Sequence, residues 1–424
     1  MESTYKPRLA DYMLARKLKG KGAVVIEGPK WCGKTTTAEQ VAKSTIYVNS
    51  PDELNYYRQL VKISPNEILK GEKPLLIDEW QNIPEIWDSI RFDIDHSRKL
   101  GQFILTGSTI PADMSNVMHS GTGRFGWLRM RTMSLWESAD SNGQVSLRDL
   151  FENKDISAHT DKSIEDLSFV CCRGGWPLAV DMPKEIALDQ AFDYVDAIVN
   201  RDIGLSDGKF RDNVRVRRLL KSLARHQGSQ ISFTKICEDL KNNENTNIHD
   251  DTIASYIRAL QRIFVIEDVE AWNPNLRSST AIRTLDTRYF SDPSIATASL
   301  GLGPKDLIND LNTFGLILET LCIRDLRVYS EPLDGKIYHY RDKNGLECDA
   351  ICHLRDGRYG LIEIKLGGNN LIQEGVKNLL KLNSILDITK MNKPSFLMVL
   401  VGVGKYAFKN EEGVYIVPIS CLKD

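Results

Sequence analysis

Three short apolar runs in the first quarter of the chain each end on a polar tip. "AVVIEG" (23–28), "LLIDE" (75–79) and "FILTGS" (103–108) have the length of buried strands. Their continuous apolar character predicts strands of a parallel sheet covered on both faces. A further strand candidate, "STIYVNS", and a polar helical stretch, "PDELNYYRQLVKI", lie between the first run and the second. That extra strand is expected to be inserted in the sheet between the first strand and the acidic one. "KTTTAEQVAK" reads as a helix directly after the first run, and "WLRMRTMSL" alternates well enough to be a strand with Arg129 and Arg131 on one face. Apolar spacing at Val216, Leu219, Leu220 and Leu223 is helical. A short helix after "GSQISF", a second helix "DDTIASYIRALQRIF" and a strand "FVIEDVEAW" follow. The last third opens with the helix "TFGLILETLCIRDLRVY" and continues as three short strands with turns at "DKNG" and "RDGR".

Composition narrows the class. A chain of 424 residues exceeds one ordinary hydrophobic core, so several domains are expected. The 42% hydrophobic and 26% charged content is that of a globular protein. A net charge of −2 gives no global positive field, so any nucleic-acid contact must rest on local basic patches. The eight cysteines lack paired metal-ligand spacing and are expected to be reduced and mostly buried. No apolar leader opens the sequence and no segment reaches membrane-spanning length, so the protein is expected in the cytoplasm without a membrane partner.

The chemistry begins at the first polar tip. Gly28, Pro29, Lys30, Trp31, Cys32, Gly33, Lys34 and Thr35 fill the pattern G-x-x-x-x-G-K-[ST], with Thr36 behind them, between a strand and a helix. In such a loop, successive backbone N–H groups turn onto phosphate oxygens at the positive end of a helix. Lys34 would reach the β and γ phosphates of ATP, and Thr35 would complete a Mg²⁺ shell. Asp78 would hold Mg²⁺ through water, and Glu79 would polarise the attacking water. Thr106 or Ser108, at the third strand end, would sense the γ-phosphate. Arg124, on a loop beside glycines, is a candidate for stabilising transition-state charge in cis or from a neighbouring subunit. This set reads as a P-loop ATPase sheet with an additional strand, within an α/β fold.

The order "LLIDEWQ", "FILTGS", "GRF…SLWE", "RGGWPLAV" and "YVDAIVNRDI" resembles the AAA-type ATPases of bacteria and archaea that carry a C-terminal domain of unknown function. That resemblance implies ATP hydrolysis used to switch conformation or assembly, with DNA as the most plausible target. The middle of the chain has the outline of a winged helix-turn-helix, as the resemblance also implies, and would turn Ser255, Arg258 and Arg262 outward. Asp250, Asp251, Glu267, Asp268 and Glu270 surround those arginines, so a protein-interaction role competes with contact to double-stranded DNA. In the last third, Glu319, Asp349, Glu363 and Lys365 resemble the PD-(D/E)XK nuclease core. In that core Asp349 and Glu363 would hold a metal ion and Lys365 would orient water or stabilise charge. Three modules follow: an ATPase domain at 1–165, a helical and winged-helix region at 166–285, and a nuclease-like α/β domain at 286–424. Two function classes remain open. One is a DNA-acting ATPase, and the other a signalling or scaffold ATPase, binding a protein partner or further copies of itself, with an inactive nuclease-like domain.

Overall fold

The computed structural model of the protein describes residues 5–110, 120–205, 208–241, 249–273, 285–387 and 391–424. The chain divides into two compact units. The first comprises Met1–Thr132, Asn200–Arg211 and Ile257–Val265, and the second Met133–Val199, Asp212–Tyr256 and Ile266–Asp424.

The first unit is built on strands β1 (Ala23–Glu27), β2 (Ser44–Tyr47), β3 (Leu75–Asp78), β4 (Phe103–Gly107) and β5 (Phe125–Arg129). They form one sheet in the order β2-β3-β4-β1-β5, with every neighbouring pair parallel. Strands β3 and β4 are buried along their whole length, as a sheet with two covered faces requires. Successive residues point to opposite faces. Val25, Ile77 and Leu105 therefore join Trp87, Ile90 and Ile94 of the helix Ile86–Ser97 in one core. Val24, Ile26, Leu76 and Ile104 join Met13, Leu14 and Leu18 of the helix Leu9–Leu18 in the other.

An inserted strand is present, but it is not the one expected. Strand β4 lies between the first strand and the acidic strand β3, while β2, from "STIYVNS", occupies the edge. The partly exposed pattern of β2 agrees with an edge, whereas β4 is apolar throughout and fits the centre. The helix after the glycine turn is also shorter than expected, spanning Lys34–Glu39. Arg131 falls beyond the end of β5 and does not share a strand face with Arg129.

In the second unit, helices Asn213–Arg225 and Phe233–Lys241 are followed by Asp250–Arg262, whose second half is grouped with the first unit. An antiparallel hairpin of β8 (Ile266–Val269) and β9 (Thr287–Phe290) comes next, and Ser229 bridges to Arg288 of β9. The long helix Leu311–Ser330 leads to β10 (Gly335–Arg341), β11 (Glu347–Leu354) and β12 (Tyr359–Lys365), which are the three strands expected. With β13 (Phe396–Val401), β14 (Tyr406–Lys409) and β15 (Tyr415–Pro418) they form a mixed seven-stranded sheet whose far edge is β7 (Ala158–His159). A second distant pairing joins β6 (Val145–Ser146) to β16 (Leu422–Lys423). All eight cysteines are buried, and none is in a disulfide. No helix among the described residues is long and apolar enough to cross a membrane.

The glycines of "RGGWPLAV" have a packing role. Gly174 has φ of +73°, and a Cβ there would stand 2.3 Å from Asp292 Oδ1. A Cβ on Gly175 would stand 2.1 Å from the Met133 carbonyl oxygen and 2.9 Å from Arg324 Nη1. Arg324 is fully buried and spans Asp292 at 3.0 Å and Asp325 at 2.7 Å. Asp292 also accepts the Gly175 N–H at 2.9 Å, and Asp325 the Leu135 N–H at 3.0 Å. Gly175→Ala is therefore expected to destabilise the protein by about 3 kcal/mol, through overpacking against backbone and a buried charge network. A denaturant midpoint unchanged from wild type would contradict this account.

Candidate functional site

The carboxyl ends of β1, β3 and β4 bring the expected residues of the first unit together. Parallel register sets Asp78 opposite Thr106 and Glu27 opposite Gly107, so three polar tips meet at one rim. The glycine turn leaves β1 at Gly28, where an added Cβ would stand 2.0 Å from the Met130 carbonyl oxygen. Gly33, at φ of +97°, serves as the cap before the helix Lys34–Glu39. Trp31 also lies in the left-handed region, at φ of +63°, with its ring largely exposed. Lys34 is buried, and its ammonium folds back over the loop to the carbonyls of Gly28 at 3.0 Å and Pro29 at 2.8 Å. Thr36 is exposed on the first helical turn.

Asp78 is the junction. Its Oδ1 accepts hydroxyls from Thr35 and from Thr106, each at 2.6 Å, while the residue is 4% exposed. Glu79 follows in the left-handed region at φ of +57°, which turns its side chain away from the line of the strand. Its carboxylate accepts from Ser108 Oγ at 2.9 Å and from Gln81 Nε2. A hydroxyl and a carboxylate side by side are hard oxygen donors of the kind Mg²⁺ takes, with water and phosphate completing its shell. Thr35 and Asp78 thus fit that ion.

Arg124 is not brought to this rim. Its carbonyl accepts the N–H groups of Gly22 and Ala23, at the amino end of β1, and its Nε meets Asp95 at 2.7 Å. Parallel pairing of β1 with β5 places it at the end of the sheet opposite the glycine loop. A role in cis is therefore excluded by register. Arg129 pairs with Glu27 at 3.5 Å and lies 4.2 Å over the Phe264 ring.

Three residues beside the loop carried no assigned role in the sequence. Arg8 donates to the Cys32 carbonyl at 2.9 Å and the Arg131 carbonyl at 2.8 Å, tying the loop to the stretch after β5. Tyr5 reaches Thr37 Oγ1 at 3.0 Å. Asp202 pairs with Lys30 at 2.6 Å. Only Asp202 gave a signal, as part of the "NRDI" helix end.

In the second unit, Glu319, Asp349, Glu363 and Lys365 also converge. Lys365 Nζ lies 2.8 Å from Glu363 Oε2, and Asp349 Oδ2 accepts the Ile364 N–H at 2.7 Å. Tyr289 donates its hydroxyl to Glu319 at 2.6 Å, and a Cβ on Gly228 would stand 2.5 Å from the same carboxylate. Burial, then the negative charge of Asp349, pushes the Glu319 carboxyl up to about 8. The same two causes push Glu363 up to about 8 against the pull of Lys365. Burial also raises Asp349. Burial pulls Lys365 down, but the Asp349 and Glu363 charges outweigh it and hold the ammonium above its ordinary value. Glu347 is exposed and paired with Arg341 at 3.1 Å. Among the described residues, no group of three or more His, Cys, Asp or Glu is placed to hold a metal ion.

With this geometry in place, residues 20–139 match the AAA domain family. Residues 314–422 match a domain of unknown function (DUF4143). Residues 164–306 match a second domain of unknown function (DUF8612). Two curated relatives are the uncharacterized proteins Mb2031c of Mycobacterium bovis and Rv2008c of Mycobacterium tuberculosis. Each is 23% identical over 375 residues, covering 88% of this chain and 77% of the relative. Among solved structures, a Walker-type ATPase of Pyrococcus abyssi, PABY2304, is similar at a TM-score of 0.41 and 14% identity. That likeness covers 68% of this chain and 94% of the other, and at this level it carries no argument about mechanism.

A pH effect follows from the raised carboxyls. Both favour their protonated form in the folded protein, so their contribution is fully present below the ordinary glutamate value of about 4.3 and is lost as pH rises through about 8. The thermal midpoint should fall between about pH 5 and pH 8, and Glu319→Gln should flatten that slope. A Glu319→Gln profile parallel to wild type would show that the carboxyl titrates normally.

Proposed function

We propose that this protein binds and hydrolyses ATP at the rim of the first unit, with Mg²⁺ held by Thr35 and Asp78. The observation that carries this reading is the double acceptance at Asp78 Oδ1, by Thr35 and Thr106 at 2.6 Å each, beside a Glu79 held by Ser108. The loop amides of residues 28–36 bind phosphate, and Lys34 exchanges its two carbonyl partners for β and γ oxygens. When bound, Mg²⁺ neutralises phosphate charge and orients the triphosphate. Glu79 orients and deprotonates the attacking water, and Thr106 and Ser108 fix the two acidic side chains at the γ-phosphate. Arg124 acts only from a neighbouring subunit, if the active species is an oligomer.

For the remainder, we propose that ATP turnover is coupled to double-stranded DNA. The helices Asn213–Arg225, Phe233–Lys241 and Asp250–Arg262 with the β8–β9 hairpin support a winged-helix reading. The rival is a scaffold or signalling ATPase that binds a protein partner. It is favoured by the Lys365–Glu363 pair, in which a side-chain ammonium already meets one of the expected carboxylates.

Turnover of the purified protein with and without double-stranded DNA separates the readings. Lys34→Ala should abolish ATP binding, and Glu79→Gln should keep binding while turnover falls at least about 100-fold. Full turnover by Glu79→Gln would remove that residue from the mechanism. Stimulation by DNA that disappears with salt supports the first reading; turnover indifferent to DNA supports the second.

A further inference from the structure

Lys30 and Asp202 make a charged contact in the first unit that the hydrolytic scheme leaves unused. Lys30 is the third residue of the glycine loop, and its Nζ lies 2.6 Å from Asp202 Oδ1. The aspartate side chain is 11% exposed and the lysine 44%, so the carboxylate is the fixed partner and the ammonium the adaptable one. Asp202 ends a π-helical turn, Ile198–Asp202, that interrupts the helical path after Lys184–Ala197. Such turns re-aim the side chains that follow and are frequent at functional sites. Beyond it, the buried Arg211 donates to the Ile203 carbonyl at 2.9 Å and holds the main chain beside Asp202 in place. Arg8 holds the loop on the other side, through the Cys32 carbonyl. The backbones at both ends of the ion pair are thus anchored, and the flexible element is the Lys30 stem.

This inference rests on the reading of the loop as a nucleoside triphosphate site. Lys30 then faces two competing anions, the Asp202 carboxylate and the polyphosphate. We infer that Asp202 is a positioning residue of the nucleotide site, which holds the Lys30 ammonium in the empty site and yields it to phosphate on binding. A carboxylate close to a triphosphate opposes binding unless a cation stands between them. The two residues therefore have opposite effects on affinity, which a bridge that only braces the fold would not show. Asn200–Arg211 groups with the first unit, while the chain on both sides groups with the second.

The test uses the full chain and a fluorescent ATP analogue, with thermal melts to establish folding. Asp202→Asn should tighten binding about five-fold, and Lys30→Met should weaken it about ten-fold. The double variant should fall between them, and all differences should shrink with added salt. Hydrogen exchange on the wild-type chain gives a reading free of variants: the amides of residues 200–205 should lose protection when the analogue binds. Single variants that shift affinity in the same direction, an unaltered Asp202→Asn, or unchanged exchange at 200–205 would each overturn the inference. If wild type fails to bind the analogue and Lys34→Ala makes no difference, the nucleotide-site reading itself has failed. Binding that depends on Lys34 but not on Asp202 defeats only the present inference.

Discussion

One carboxylate oxygen organises the rim of the first unit. A buried aspartate is costly unless its charge is hydrogen-bonded, and Asp78 meets that requirement with two hydroxyls on one oxygen. Each hydroxyl comes from a different element. Thr106 is fixed by the β3–β4 register and Thr35 by the first turn of the helix after the glycine loop. The loop, the acidic strand and the inserted strand are therefore locked to one point, and Glu79 is placed relative to all three. The left-handed backbone at Glu79 lets the next carboxylate leave the strand axis and reach Ser108.

The second unit uses a comparable device for a different end. Arg324 is surrounded by Asp292 and Asp325, which in turn accept N–H groups of Gly175 and Leu135. This fully buried network clamps the helix Leu311–Ser330 against the "RGGWPLAV" segment. Glu319 lies on the same helix, so its position beside Asp349 and Tyr289 is a consequence of the clamp. Burial of the three carboxylates displaces them upward, against the pull of Lys365.

How much of this was legible depended on the range of the interaction. The runs at 23–27, 75–78 and 103–107 were readable because a strand covered on both faces needs continuous apolar residues. The spatial order of the strands was not, because order within a sheet is set by the crossovers between strands, although "FILTG" is the more apolar run. The constellation of Lys34, Thr35, Asp78, Glu79, Thr106 and Ser108 was legible because each residue sits at a strand end or loop whose geometry is local. Arg124 was misplaced for a cis role because the direction of β5 relative to the glycine loop is a tertiary fact. Asp202 and Arg8 are separated from their partners by 172 and 24 residues, and no spacing rule connects them. In the last third, alternation placed Glu363 and Lys365 on one face, but it could not show that the two would pair with each other.

The edge strands of the second unit bear on how the chain is made. Strands β6 and β7 lie at residues 145–159, yet their partners β16 and β14 lie at residues 422–423 and 406–409. During synthesis the earlier segments leave the ribosome more than 240 residues before the strands that complete them. The first unit's parallel sheet closes within residues 23–129, so it has all its strands while the second is still being translated. The second unit becomes complete only after the segment up to residue 423 has emerged, and in that interval β6 and β7 lack their partner strands. All strands of the five-stranded parallel sheet are thereby synthesised before those of the sheet that carries the carboxylates are complete.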